Sequence, residues 1–132
     1  MNGIDYLLDT NFIIGLLQSN PDALALINAH QIQSRQCAYS AITRMELLGF
    51  PDITQAEESL IEEKLAYLTY LQLSPAIENI AIRLRRSYKI KLPDAIIAAS
   101  ALAVGADLIT FDKQLQGLVA KENALSSADK PG

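Results

Sequence analysis

Residues 92–110, LPDAIIAASALAVGADLIT, constrain this chain more than any other stretch. The segment from Pro93 to Val104 reads as a helix that is apolar on nearly every side and stops at Gly105. Such a helix has to be buried. It is too short for the roughly 18 apolar residues of a membrane span, and it leads straight into Asp107 and a second apolar run, DLITFD, which reads as a strand. A buried helix joined by one glycine to a strand calls for a layered fold. Yet this helix opens on a charge, Asp94. A local reason exists: Pro93 suits a first turn, and an acid there faces the positive end of the helix dipole.

The remaining sequence alternates in the same way. GIDYLLDTN carries a short apolar strand, Tyr6 to Leu8, ending near Asp9. FIIGLLQ follows as a short helix, and residues 21–30 form a second with Pro21 in its first turn. QCAYS is a strand, and AITRMELLGF a helix with Ser40 as N-cap and Gly49 as stop. Apolar residues spaced by three or four predict a helix over 54–71, with LQLS a short strand after it. A helix from about Pro75 to Tyr88 buries Ile77, Ile80, Ala81, Leu84 and Tyr88 on one side. Strands alternating with helices predict an α/β fold with a short, mostly parallel sheet flanked by helices. Ligands in such sheets bind beyond the carboxyl ends of the strands, which singles out Asp9 and Asp112.

Half of the 132 residues are hydrophobic and 20% are charged, which suits one folded domain over residues 1–125; residues 126–132 read as a frayed tail. The single cysteine, Cys37, allows no internal disulfide. With no basic segment at the N-terminus and no membrane span, the expectation is a soluble cytoplasmic protein. The net charge is −4, which counts against non-specific nucleic-acid binding unless a metal or a local patch reverses the field. Arg83, Arg85, Arg86, Lys89 and Lys91 do cluster, but such a cluster reads first as a solvated helix face.

Asp94 is not alone. Asp9 follows YLL, Glu46 lies in ITRMELL, and Asp112 follows LITF. A carboxylate is seldom buried without a partner. Any one of these acids is explained as a cap or an element end. Four of them in such settings suggest a shared site, where they would repel each other unless a divalent cation with oxygen ligands joined them. Zinc has no ligand set here, since His30 and Cys37 are the only residues of their kinds. No phosphate-cradling glycine loop and no nucleophile–base set is present.

Asp9-Thr10-Asn11 after a strand, ITRMELL in the middle and LPDAIIAASALAVGADLITFD near the end together resemble the PIN domain, and within it the short VapC-type toxin ribonucleases. The resemblance covers about residues 4–115. It implies a three-layer α/β fold, an acidic pocket and Mg2+, with Mn2+ able to substitute. By that resemblance Asp9, Glu46, Asp94 and Asp112 are the catalytic acids, and Asp9, Asp94 and Asp112 are metal ligands. Asn11 and Thr110 occupy supporting positions, Asn11 as a partner of Asp9 or of the metal's water. Arg44, two residues before Glu46, is a candidate contact for the RNA backbone, and exposed helix decoration accounts for it equally simply. Phe111 departs from the pattern, since many relatives have a polar or basic residue there. The implied activity is hydrolysis of an RNA phosphodiester to a 5′-phosphate and a 3′-hydroxyl. The implied partners are RNA, a cognate antitoxin and no membrane. The apolar faces of residues 12–17 and 54–71 exceed what a small sheet needs, which adds a homodimer and a groove for an antitoxin helix.

Other readings are a PIN-like module that binds RNA or protein without catalysis, and another Mg2+-dependent phosphoryl hydrolase. A dehalogenase-type phosphatase wants a second aspartate two residues after the first, where Asn11 stands. A receiver domain wants paired acids after the first strand and a late lysine at a strand end.

Overall fold

The computed structural model describes residues 3–128. Strand β1 is Tyr6–Leu8, followed by helices α1 (Thr10–Leu17) and α2 (Pro21–Ala29). A 3-10 turn at Ser34–Gln36 leads into β2 (Cys37–Ser40), then α3 (Ala41–Leu48) and α4 (Gln55–Leu65). Next come β3 (Thr69–Leu71), α5 (Pro75–Ser87), α6 (Leu92–Ala103), β4 (Asp107–Ile109) and α7 (Lys113–Ala128). The strands form one parallel sheet in the order β3-β2-β1-β4.

Side chains alternate across a strand, and each face of the sheet here has its own helical cover. Leu7, Ala38 and Leu108 point to one side, against α5, α6 and α7, through Ile77, Leu84, Ile97 and Val119 among others. Leu8, Cys37, Tyr39 and Ile109 point to the other, against Phe12 and Ile13 of α1, Ala23 of α2, Leu47 of α3 and Leu65 of α4. This is the three-layer α/β fold expected. Helix α6 contributes Ala95, Ile97, Ala98, Ala99, Ser100 and Ala101 to the interior, as its all-round apolar sequence requires.

Local sequence fixes the helix ends. Asn20 caps α2 by accepting from the backbone N–H groups of Asp22 and Ala23, with Pro21 in the first turn. Ser40 and Ser74 cap α3 and α5 in the same manner. Thr54 and Glu57 bond reciprocally at the start of α4. Gly105 ends α6 with φ +68°, a conformation that favours glycine.

Three elements differ from the sequence reading. Helix α4 stops at Leu65, and Thr69–Leu71 pair with β2 as the edge strand, two residues ahead of the expected LQLS strand. The β-branched and aromatic pair Thr69-Tyr70 suits an edge strand, and the Tyr70 ring lies 5.4 Å from that of Tyr39. Helix α7 carries no strong apolar stripe beyond Leu115, Leu118 and Val119, and its polar sequence did not announce a helix. It runs through Ala128, so the first three residues of the expected tail are helical; the rest of that tail lies outside the described residues. Among the described residues no helix is long and apolar enough to cross a membrane.

Candidate active site

The sheet register assembles the site. Leu8 pairs with Ile109, so the residues that leave the two strands, Asp9 and Thr110, emerge side by side at the carboxyl edge. Asp9 is buried. Its Oδ1 accepts from the Thr10 backbone N–H at 2.7 Å, and its Oδ2 accepts from the Thr110 hydroxyl at 2.7 Å. The Thr110 hydroxyl also accepts from the backbone N–H of Asp112 at 3.0 Å. Thr110 therefore ties the first-strand acid to the last-strand acid. Asp112 also caps α7, its Oδ1 accepting from the backbone N–H groups of Gln114 and Leu115. Cap and candidate site residue are the same group.

Glu46 reaches the site through α1. Its Oε1 accepts from the Thr10 hydroxyl at 2.7 Å. The Thr10 hydroxyl also lies 2.8 Å from that of Thr43, which in turn lies 3.2 Å from the Ser40 hydroxyl. A hydroxyl has one hydrogen to give. If Thr10 donates to Glu46, Thr43 must donate to Thr10 and Ser40 to Thr43. The result is a one-way chain, Ser40 to Thr43 to Thr10 to Glu46, with its three hydroxyl residues buried. Sequence reasoning named Ser40 only as a cap and passed over Thr10 and Thr43. The signal was there: Ser40, Thr43 and Glu46 recur every third residue, along one face at the start of α3.

Asp94 sits half-buried in the first turn of α6. Burial pushes its carboxyl above the ordinary range, and the charges of Asp9, Asp112 and Glu46 push the same way, against the nearby Lys91. Three separate elements thus direct negative charge at Asp94. Among the described residues no donor or cation hydrogen-bonds or pairs with it.

The donor chemistry fits a hard divalent cation. All candidate ligands are carboxylate oxygens, and each Asp9 oxygen accepts one hydrogen bond with a lone pair left over. Among the described residues no three His, Cys, Asp or Glu side chains close into a ready-made cage. The fit is to an ion held by one or two carboxylates that keeps several waters, as Mg2+ does.

Not every expected residue joins the site. Asn11 is exposed and makes no bond to Asp9; Thr10 and Thr110 do that instead. Arg44 is exposed on α3, where its charge acts on Tyr39. The Phe111 ring packs 5.3 Å from that of Phe12. Two grooves border the site. One, of about 690 Å3, is lined by Asp94 and Asp112. The other, of about 560 Å3, lies between α1 and α4, with Ile14, Leu17, Phe50, Leu60 and Ile61 on its walls and Glu46 at its edge.

A short parallel sheet, helices on both faces and carboxylates gathered at the strand ends define an α/β protein with an acidic candidate site at the carboxyl edge of its sheet. The PIN domain family model matches residues 6–121, and the chain belongs to that family. Ribonuclease VapC19 of Mycobacterium tuberculosis is 29% identical over 109 residues, which span 79% of this chain and 86% of that protein. A toxin–antitoxin complex from Klebsiella pneumoniae contains a chain 32% identical, with a TM-score of 0.73 over 83% of this chain and 88% of that one. FitAcB from Neisseria gonorrhoeae, 23% identical, shares the fold with a TM-score of 0.70 over 87% of this chain and 93% of that one.

Proposed function

We propose that this chain is a divalent-cation-dependent endoribonuclease, with Mg2+ the physiological ion and Mn2+ a substitute, acting as the toxin of a toxin–antitoxin pair. The observation that carries the reading is Asp94: a half-buried carboxylate with no hydrogen bond or ion pair among the described residues, its pKa raised by burial and by the charges of Asp9, Asp112 and Glu46. Of Asp9, Asp94 and Asp112, one or two would hold the cation directly and the rest through its waters. When bound, the ion supplies positive charge beside the scissile phosphate and makes water a stronger nucleophile. The chain's own residues do the rest. Thr110 fixes Asp9 and the Asp112 backbone in one frame. Thr10 holds Glu46 so that its carboxylate orients the attacking water and takes its proton. Cleavage leaves a 5′-phosphate and a 3′-hydroxyl. Arg44, exposed on the helix that carries Glu46, is placed for a phosphate contact.

The relatives add the partner. VapC19 is named a ribonuclease, and the Klebsiella chain lies in a toxin–antitoxin complex. The apolar groove between α1 and α4 suits one face of an antitoxin helix. Because Glu46 borders that groove, a helix seated there would also approach the catalytic carboxylate. Exposed Tyr67, Tyr70 and Leu73 lie at the β3 edge, a further apolar surface in keeping with a homodimer. A monomeric mass by light scattering at tens of micromolar would remove the dimer from the proposal.

Induced expression of the chain alone should arrest bacterial growth, and Asp9→Asn should abolish the arrest. Co-expression of the small antitoxin from the neighbouring reading frame should restore growth, and Phe50→Asp in the groove should cancel that rescue. An Asp9→Asn protein as toxic as the parent would sink the nuclease reading.

A further inference from the structure

The groove beside Asp94 and Asp112 is not acidic along its length. Besides the acids its walls carry Lys89 and Lys91 from the α5–α6 connection, Lys91 close enough for its charge to act on Asp94, and Lys121 from α7. All three are exposed, and none forms an ion pair among the described residues. Nearby Arg83 is spent on Glu122, at 2.9 Å. Lys121 is held over the Tyr88 ring, 5.8 Å from its centre, and the Tyr88 hydroxyl donates to Glu122 at 2.8 Å, which fixes that wall.

The groove is also left open. Gly117 lines it from within α7. Glycine is a poor residue for a helix interior, and neither of its usual reasons applies here. It shows no positive φ, and a Cβ at this position would meet nothing within 4 Å. What the missing side chain leaves is free space beside the lysines. In a chain of net charge −4, unpaired lysines that line an open groove leading to an acid cluster suit an extended polyanion whose one phosphate must reach the acids. The volume, about 690 Å3, is that of a small-ligand site, enough for a short run of single strand.

We propose that this groove is the track of the RNA strand on one side of the scissile phosphate, with Lys89, Lys91 and Lys121 as its phosphate contacts. It rests on the ribonuclease reading and gives the substrate a direction across the molecule. Phosphate contacts position without reading sequence, so the track serves whatever RNA is cut.

The test is salt dependence. Fluorescence anisotropy is measured with a mixed-sequence single-stranded RNA in Mn2+, each protein carrying Asp9→Asn so that the strand stays whole. Each phosphate contact contributes about 0.7 to the slope of log affinity against log salt for a single strand. Replacing Lys89, Lys91 and Lys121 together by alanine should therefore flatten that slope by about 2. The control removes equal charge elsewhere, at the exposed residues Lys64, Arg85 and Arg86, and should leave the slope as it was. A groove variant with the unaltered slope, or a control that flattens it equally, overturns the track. The unmutated chain, assayed for cleavage of the same RNA and of total cellular RNA, separates the two readings. Cleavage together with an unchanged slope removes the track alone; neither cleavage nor binding removes the ribonuclease reading and the track with it.

Discussion

Asp94→Asn is expected to lower RNA cleavage by at least about 100-fold, the lower range for losing a positioned acid–base or ligand group, and at the same time to raise the melting temperature of the metal-free protein. The two effects have one cause. Burial and three carboxylates hold the Asp94 carboxyl above its ordinary value of 3.8. The folded state therefore keeps this proton to a higher pH than the unfolded chain does. Below the ordinary value both states are protonated and no cost arises. Through the window up to the raised folded value the cost grows, and above it the cost is full. At neutral pH the parent carries that cost in full and the asparagine protein does not. Against this stands the helix dipole, which favours an acid in the first turn by about 0.3–1 kcal/mol. The upward direction of the shift means the surroundings as a whole disfavour the ionised form, so removing the charge should win. Mn2+ should reverse the order, since at 100 times its dissociation constant an ion bound only by the folded state adds about 2.7 kcal/mol. The parent should gain this in full and the variant less. Melts of both proteins in chelator and in Mn2+ check it. A variant that melts lower in chelator and responds to Mn2+ like the parent would make Asp94 a simple helix-end acid.

The sequence made the framework of the site legible because its acids sit where element boundaries are plainest. Asp9 ends an apolar strand, Asp112 follows another, and Asp94 opens a helix too apolar to be anywhere but inside. Parallel topology then requires the two strand-end acids to share one edge. What stayed hidden has two physical sources. Small hydroxyl residues are ambiguous in sequence, since Thr10 and Thr43 have the look of ordinary first-turn residues until the fold brings α1 against α3. Elements with little burial carry little pattern: β3 is the exposed edge strand, and α7 buries a narrow stripe around Leu115, Leu118 and Val119. The lysine-lined groove combines both difficulties. Its wall needs α7 in place before Lys121 can join Lys89 and Lys91, and a basic run across the end of α5 alone gives no hint of which cations line the groove.

The hydroxyl chain behind Glu46 makes the second large prediction. Thr10→Val keeps the shape of the side chain and the backbone bond to Asp9, and it removes one oxygen with two duties. Glu46 is exposed and has the Thr10 hydroxyl as its hydrogen-bond partner among the described residues. Without it the carboxylate is free to swing into solvent, and cleavage should fall about 10- to 100-fold, as when an outer partner that orients a metal-site group is lost. Thr43, fully buried, loses the acceptor for its proton, which should cost about 1–3 kcal/mol of stability. Thr10→Ser should restore both. The two duties separate in Thr43→Val, which leaves the Thr10–Glu46 bond in place. That protein should lose stability and keep its cleavage rate. In the double variant with valine at both positions only the Ser40 hydroxyl is left without its acceptor, as in Thr43→Val alone, so its stability loss should be smaller than the sum of the two single losses. Its rate should match Thr10→Val alone. Urea denaturation and single-turnover cleavage of the four proteins read the two quantities independently. If Thr10→Val cuts RNA as fast as the parent, Glu46 does not depend on the chain, and the chain is a packing device for α1 against α3. If Thr43→Val slows cleavage as much as Thr10→Val does, the bond from Thr10 to Glu46 is not the step at which position is set.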